Sequence, residues 1–110
     1  MKYNKIRMNN GIWADFCQSK LIRGSEKQLR TCKASVGVTT DGEFTYLRSY
    51  ETIVCVIDNI TGEAVDALRT EYGYTATSAQ HITKFLHVYP HKKLFRTNYD
   101  KHGRYYIRIY

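Results

Sequence analysis

Apolar residues recur along this chain with two periods, and the switches between them delimit its elements. Ile12, Trp13, Phe16, Cys17 and Leu21 recur at helical spacings behind the turn signal Asn9-Asn10-Gly11. With Asn10 placed as a cap, this predicts a helix from residue 12 to Gly24. The period then drops to two. Cys32, Ala34, Val36 and Val38 alternate with Thr31, Lys33, Ser35, Gly37 and Thr39, the pattern of a strand with one wet face. Thr40-Asp41-Gly42-Glu43 marks a turn, Phe44 to Tyr50 a second strand, and Thr52 to Asp58 a third. The third is apolar on both faces and should be central in a sheet. Asn59-Ile60-Thr61-Gly62 turns the chain into a weaker fourth strand over Glu63–Arg69.

The helical period returns at Ile82, Phe85, Leu86 and Tyr89, one stripe on a helix that Pro90 stops. Ahead of it Thr77-Ser78-Ala79-Gln80 has the form of a capping box with Thr77 as N-cap. His81, Lys84 and His87 are expected off the stripe. A last strand runs from Arg104 to Tyr110. The predicted fold class is α+β: one domain over residues 1–110, an antiparallel sheet of four to five strands, one helix in the C-terminal half and one at the N-terminus.

A chain of 110 residues, 43% apolar and 25% charged, has the size and composition of one globular domain with a single core. No apolar stretch approaches the ~18 residues of a membrane span, and no apolar segment follows the basic start, so a cytoplasmic protein is expected. Cys17, Cys32 and Cys55 are odd in number and widely spaced, which predicts free thiols, with Cys32 and Cys55 in the core.

Charge adds what periodicity does not. Residues 1–33 hold eight Lys/Arg against two acids, a net +6; residues 34–80 hold two against seven, a net −5; residues 81–110 hold seven against one, a net +6. A basic head and tail around an acidic middle predict an acidic partner, either nucleic acid or a nucleoprotein. In the tail, strand alternation sets Arg104, Tyr106, Arg108 and Tyr110 on one face about 7 Å apart, with Tyr105, Ile107 and Ile109 on the other as a core face. Guanidinium groups pair with phosphate and phenol rings stack on bases. An edge strand kept soluble by its arginines has the same pattern. The candidate binding residues are Arg104, Tyr106, Arg108 and Tyr110, with Lys92, Lys93 and Arg96 beside them, and Lys20, Arg23, Lys27 and Arg30 in the head.

Candidate chemistry is sparse. There is no nucleophile elbow, phosphate-binding glycine loop or zinc-ligand spacing, and Pro90 separates His87 from His91. No catalytic residue, metal ligand or cofactor is predicted. His81, early in its helix, reads as a neutral structural histidine. An enzyme built from this chain would be a metal-independent ribonuclease-type toxin using His81, His87 or His102 with Arg104 and Tyr106.

Ser49-Tyr50-Glu51-Thr52, followed by Tyr74-Thr75-Ala76-Thr77-Ser78-Ala79-Gln80-His81-Ile82 and Phe85-Leu86, resembles a small domain of phages, plasmids and other mobile elements of low-GC Gram-positive bacteria. The resemblance spans Ser49 to Leu86 and supplies no catalytic residue. It implies a mobile-element origin and a non-enzymatic binding protein of the anti-CRISPR type, one that blocks an RNA-guided nuclease or its nucleic acid in the host cytoplasm. A small basic nucleic-acid-binding protein, and an accessory protein that binds only protein, are the other readings.

Overall fold

A computed structural model describes residues 10–110 except Thr31 and Tyr72, with the backbone alone at Asn10, Glu71 and Tyr105. The predicted turn residue Asn9, the basic residues Lys2, Lys5 and Arg7, and the first residue of the predicted first strand, Thr31, lie outside the described residues. In chain order the elements are α1 (Asn10–Cys17), a 3₁₀ turn (Arg23–Ser25), β1 (Lys27–Gln28), β2 (Ala34–Val38), β3 (Phe44–Ser49), β4 (Thr52–Asp58), β5 (Glu63–Asp66), α2 (Leu68–Glu71), α3 (Ala76–Val88), β6 (Lys93–Tyr99) and β7 (Tyr105–Ile109).

The α+β class holds, but the sheet is larger than predicted and is mixed. Its seven strands lie in sequence order, β1-β2-β3-β4-β5-β6-β7, all antiparallel except β5 and β6, which run parallel. A parallel neighbour needs a crossover, and α2 and α3 supply it. Two strands escaped the periodicity. In β6, Lys93-Leu-Phe-Arg-Thr-Asn-Tyr99 carries polar residues on both faces, so no clean alternation exists; β1 has only two residues. The fourth strand stops at Asp66, where the Asp66 carboxylate accepts the Leu68 N–H at 3.0 Å and starts α2. The N-terminal helix ends at Cys17, seven residues short of Gly24. As its two-sided apolar pattern requires, β4 is the central strand.

Both faces of the sheet are covered. On one, Ile82 and Phe85 of α3 pack on Val36, Leu47, Ile57, Ala64 and Leu94, with Leu86 and Tyr89 alongside. On the other, Ile12 and Phe16 of α1 pack on Phe44, Tyr46, Val56, Val65 and Phe95. Gly37 lies beneath the Tyr46 ring, where a Cβ would collide with the phenol. The N-cap of α3 is Thr75, not Thr77: the Thr75 hydroxyl accepts the Ser78 N–H at 3.2 Å. His81, expected off the apolar stripe, is buried instead, its Nδ1 2.8 Å from the Ser49 hydroxyl, which also meets Ser78 at 2.8 Å. Cys55 is buried as expected, whereas Cys32 is half-buried and its Sγ accepts from the Lys84 ammonium at 3.2 Å. No helix of the described residues is long and apolar enough to cross a membrane.

Candidate binding cleft on the β6–β7 face

Strand parity assembles this site. On β6 the side chains of Leu94, Arg96 and Asn98 share the α3 face; on β7 their partners are Tyr110, Arg108 and Tyr106, since Arg96 pairs with Arg108 and Asn98 with Tyr106. The packing of α3 centres on β3 and β4 and reaches β6 at Leu94, short of Arg96 and Asn98. The result is a cleft of about 190 Å³ lined by Arg69, Arg96, Asn98, Tyr106, Arg108 and Tyr110.

Asp66 organises the interior of the cleft. Its side chain is 4% exposed and accepts the Arg96 Nε at 2.7 Å while also capping α2. Burial pulls the Arg96 guanidinium down, but the hydrogen bond to Asp66 and the charge of that carboxylate outweigh it and hold the group above its ordinary pKa. The Arg96 guanidinium carbon lies 5.1 Å from the centre of the Tyr110 ring, and that of Arg69 lies 4.4 Å from the centre of the Tyr74 ring. Such stacking fixes the plane of a guanidinium and leaves its edge N–H groups to a ligand. Among the described residues neither Arg69 nor Arg108 has an acidic partner. Two guanidinium groups on directly opposed strand positions repel, and Arg69 adds a third charge from α2. One carboxylate against three guanidinium groups leaves the cleft positive.

Of the predicted residues, Arg96, Tyr106, Arg108 and Tyr110 meet here. Arg104 does not. It precedes β7, in the β6–β7 turn, where its Nε donates to Asp100 at 3.1 Å, and the N–H groups of Arg104 and His102 hold the Asp100 carboxyl below its usual range. Lys93 begins β6 opposite Glu63, and Lys92 lies over Gly62 at the far end of the strand. Among the described head residues, Lys27 in β1 and Arg30 just after it lie at the other edge of the sheet, while Arg23 pairs with Glu51 of the β3–β4 turn at 2.6 Å. Lys20 lines a separate depression beside Asp15 and Asp41. The predicted core face of β7 holds at Ile107, which packs half-buried against the α1-side core, and needs correction at Ile109, which is 59% exposed.

Sequence reasoning missed Asp66, Arg69 and Asn98. Periodicity places Arg69 at a strand end, and Asn98 enters only once β6 is recognised as the partner of β7. A family model matches residues 18–101, more than half of the chain. The chain belongs to a family of unknown function (DUF8033). The stretch matching the DUF8033 model contains Asp66, Arg69, Arg96 and Asn98 and stops before β7, so the Tyr106, Arg108 and Tyr110 side of the cleft lies beyond it. No curated protein and no solved structure matches the chain. His81, His87 and His102, the histidines considered for ribonuclease chemistry, do not line the cleft; His81 is buried, while His87 and His102 are exposed.

Proposed function

We propose that the protein is a non-enzymatic, cytoplasmic binding protein that takes single-stranded nucleic acid in the β6–β7 cleft. The observation that supports this most is the opposition of Arg96 and Arg108, joined by Arg69, around a single carboxylate that Arg96 already engages. Phosphate oxygens would relieve that repulsion, with Arg69 and Arg108 as the donors left over. Tyr106 and Tyr110, 37% and 57% exposed, offer rings on which unpaired bases stack. A depression this small suits one or two nucleotides better than a duplex groove.

The test is fluorescence-anisotropy titration of single- and double-stranded oligonucleotides with the native protein and the Arg69→Gln/Arg108→Gln variant. Single strands should bind more tightly, with affinity falling as salt rises because condensed counterions are released. The double variant should lose at least about tenfold, while Arg104→Gln should change affinity by less than twofold. Equal loss in both variants would replace a site by general attraction to positive charge.

The mobile-element resemblance favours a narrower use of the same cleft, the occupation of guide or target strand in an RNA-guided nuclease. Inhibition of target cleavage that Arg108→Gln relieves would support it. Inhibition that the substitution leaves intact would point to protein contact elsewhere.

A further inference from the structure

The outer edge of β7 has a geometry of its own. Leu94 and Tyr110 exchange two backbone hydrogen bonds, at 3.1 and 2.8 Å, so they form a hydrogen-bonded pair of the antiparallel ladder. Alternation then makes Arg96–Arg108 and Asn98–Tyr106 hydrogen-bonded pairs as well. The backbone N–H and C=O groups of Tyr105, Ile107 and Ile109 therefore point away from β6. Among the described residues nothing pairs with them, because β7 is the last strand of the sheet. Natural sheets blunt such edges with charged side chains, a proline, a bulge or a very short strand, and of these β7 carries only the charge of Arg108, on its cleft face. The five residues of β7 include no proline and pair with β6 without a register shift, and Ile109 is 59% exposed beside the edge.

We infer that two copies of this chain pair antiparallel through their β7 edges, about a two-fold axis at Ile107. Only outward-pointing residues can face each other as hydrogen-bonded partners. A centre at Ile107 sets residue 105 opposite residue 109 and Ile107 opposite its own copy, so all three outward residues are matched at once. A centre at residue 105 or 109 leaves part of the strand unpaired. On the cleft face the same register sets Tyr106 opposite Arg108 of the second copy, a ring and a guanidinium, and places no two like charges directly opposite. Exposed Ile109 gains a covered position on the other face. The two clefts then lie on one face of a continuous fourteen-stranded sheet, twice the seven strands of a single chain.

A pairing of five residues buries less than the ~1,200 Å² at the lower bound of standard interfaces, so the dimer is concentration-dependent. It also joins two chains of formal charge +7. Salt screens that repulsion and strengthens the dimer. Nucleic-acid binding responds to salt in the opposite direction, so failure of this inference and failure of the cleft reading give different results.

Sedimentation velocity of the native chain from ~10 μM to ~1 mM, the range for an interface below standard size, provides the test. The mass should rise from monomer to dimer, at lower protein concentration in higher salt. Ile109→Pro removes an outward N–H and leaves the β6 ladder intact, so it should remain monomeric with a nearly unchanged melt. Should that variant unfold, register-specific cross-linking decides. With Cys17 and Cys32 replaced by Ser, Ile107→Cys should form an intermolecular disulfide, since hydrogen-bonded partners stand ~5.5 Å apart at Cα, and Tyr106→Cys should not. A native chain monomeric at ~1 mM in high salt overturns the inference. So does a dimer that a folded Ile109→Pro leaves intact, or cross-linking at 106 instead of 107.

Discussion

Two buried polar clusters show what single residues contribute to this fold. The first joins the two halves of the sequence motif that runs from Ser49 to Leu86: the Ser49 hydroxyl on β3 meets Ser78 and His81 on α3, fastening helix to sheet by polar contacts inside an apolar layer. Burial lowers the pKa of His81 below 6.5, and the Lys84 ammonium lowers it further. The folded state therefore holds neutral imidazole while the unfolded chain takes up a proton near 6.5. The stability from this group is complete above that pH and is lost as pH falls toward the folded-state value. Thermal melts should thus decline as pH falls below about 6.5. His81→Asn, which keeps an acceptor near the Nδ1 position and cannot titrate, should flatten that decline. An unaltered pH profile would mean that His81 is not its source. The second cluster surrounds Glu26, whose carboxylate is 5% exposed. Arg48 donates to it at 3.0 Å, Ser35 at 3.0 Å and the Tyr46 hydroxyl at 2.5 Å. Burial alone would raise the Glu26 carboxyl, but these donors lower it below 4.5; burial and the facing carboxylate push Tyr46 up to about 12. Its stabilisation is present above pH 4.5 and lost as pH falls below. Arg48→Met leaves that carboxylate without its cation, and urea denaturation should record a loss of about 3–5 kcal/mol.

At the scale of elements, the apolar periodicity identifies those whose two faces differ in polarity and misreads those whose polar residues do structural work. Strands β2, β3 and β4 and helix α3 read directly from alternation and stripe. Strand β6 did not, because Arg96 and Asn98 on one face and Thr97 on the other are polar for reasons of site and packing: Arg96 joins Asp66, and Thr97 is buried with its hydroxyl donating to the Asp66 carbonyl at 3.1 Å. Asp66 sits three times at a junction, pairing with Arg96, capping α2 and receiving Thr97, and a strand pattern gives it none of those roles. Four of the six lining residues, Arg96, Tyr106, Arg108 and Tyr110, were legible, since the basic and Arg/Tyr pattern of the tail is a local property. The other two, Arg69 and Asn98, were not, because they reach the cleft only through a parallel crossover. The cap of α3 separates two sequence readings experimentally. Thr75→Ala removes the acceptor for the Ser78 N–H and should cost about 1 kcal/mol. Thr77→Ala alters an exposed first-turn residue and should stay within about 0.5 kcal/mol in the same chemical denaturation.

Across the described residues, Lys27 and Arg30 of the basic head and Arg108 of the tail lie at opposite edges of a seven-stranded sheet, which separates two explanations of binding that net charge alone confounds. If attraction to the +7 chain were the whole cause, removing any set of cations would weaken a polyanion complex in proportion to their number. The cleft argues otherwise. Replacing Lys20, Lys27 and Arg30 with Gln removes three positive charges from the described head, outside the cleft; replacing Arg69 and Arg108 removes two from the cleft. Each phosphate contact to a single strand contributes about −0.7 to the slope of log affinity against log salt. The cleft pair should therefore flatten that slope by about 1.4 and cost at least about tenfold in affinity at ~150 mM salt. The head triple variant, although it loses more charge, should leave the slope nearly unchanged and lower affinity by at most about threefold, through long-range attraction alone. Parallel anisotropy titrations at four or five salt concentrations distinguish the two, with thermal melts to show that both variants remain folded. A larger slope change in the head variant would move the contact surface to the β1 edge and leave the Arg/Tyr strand as a solubilising edge.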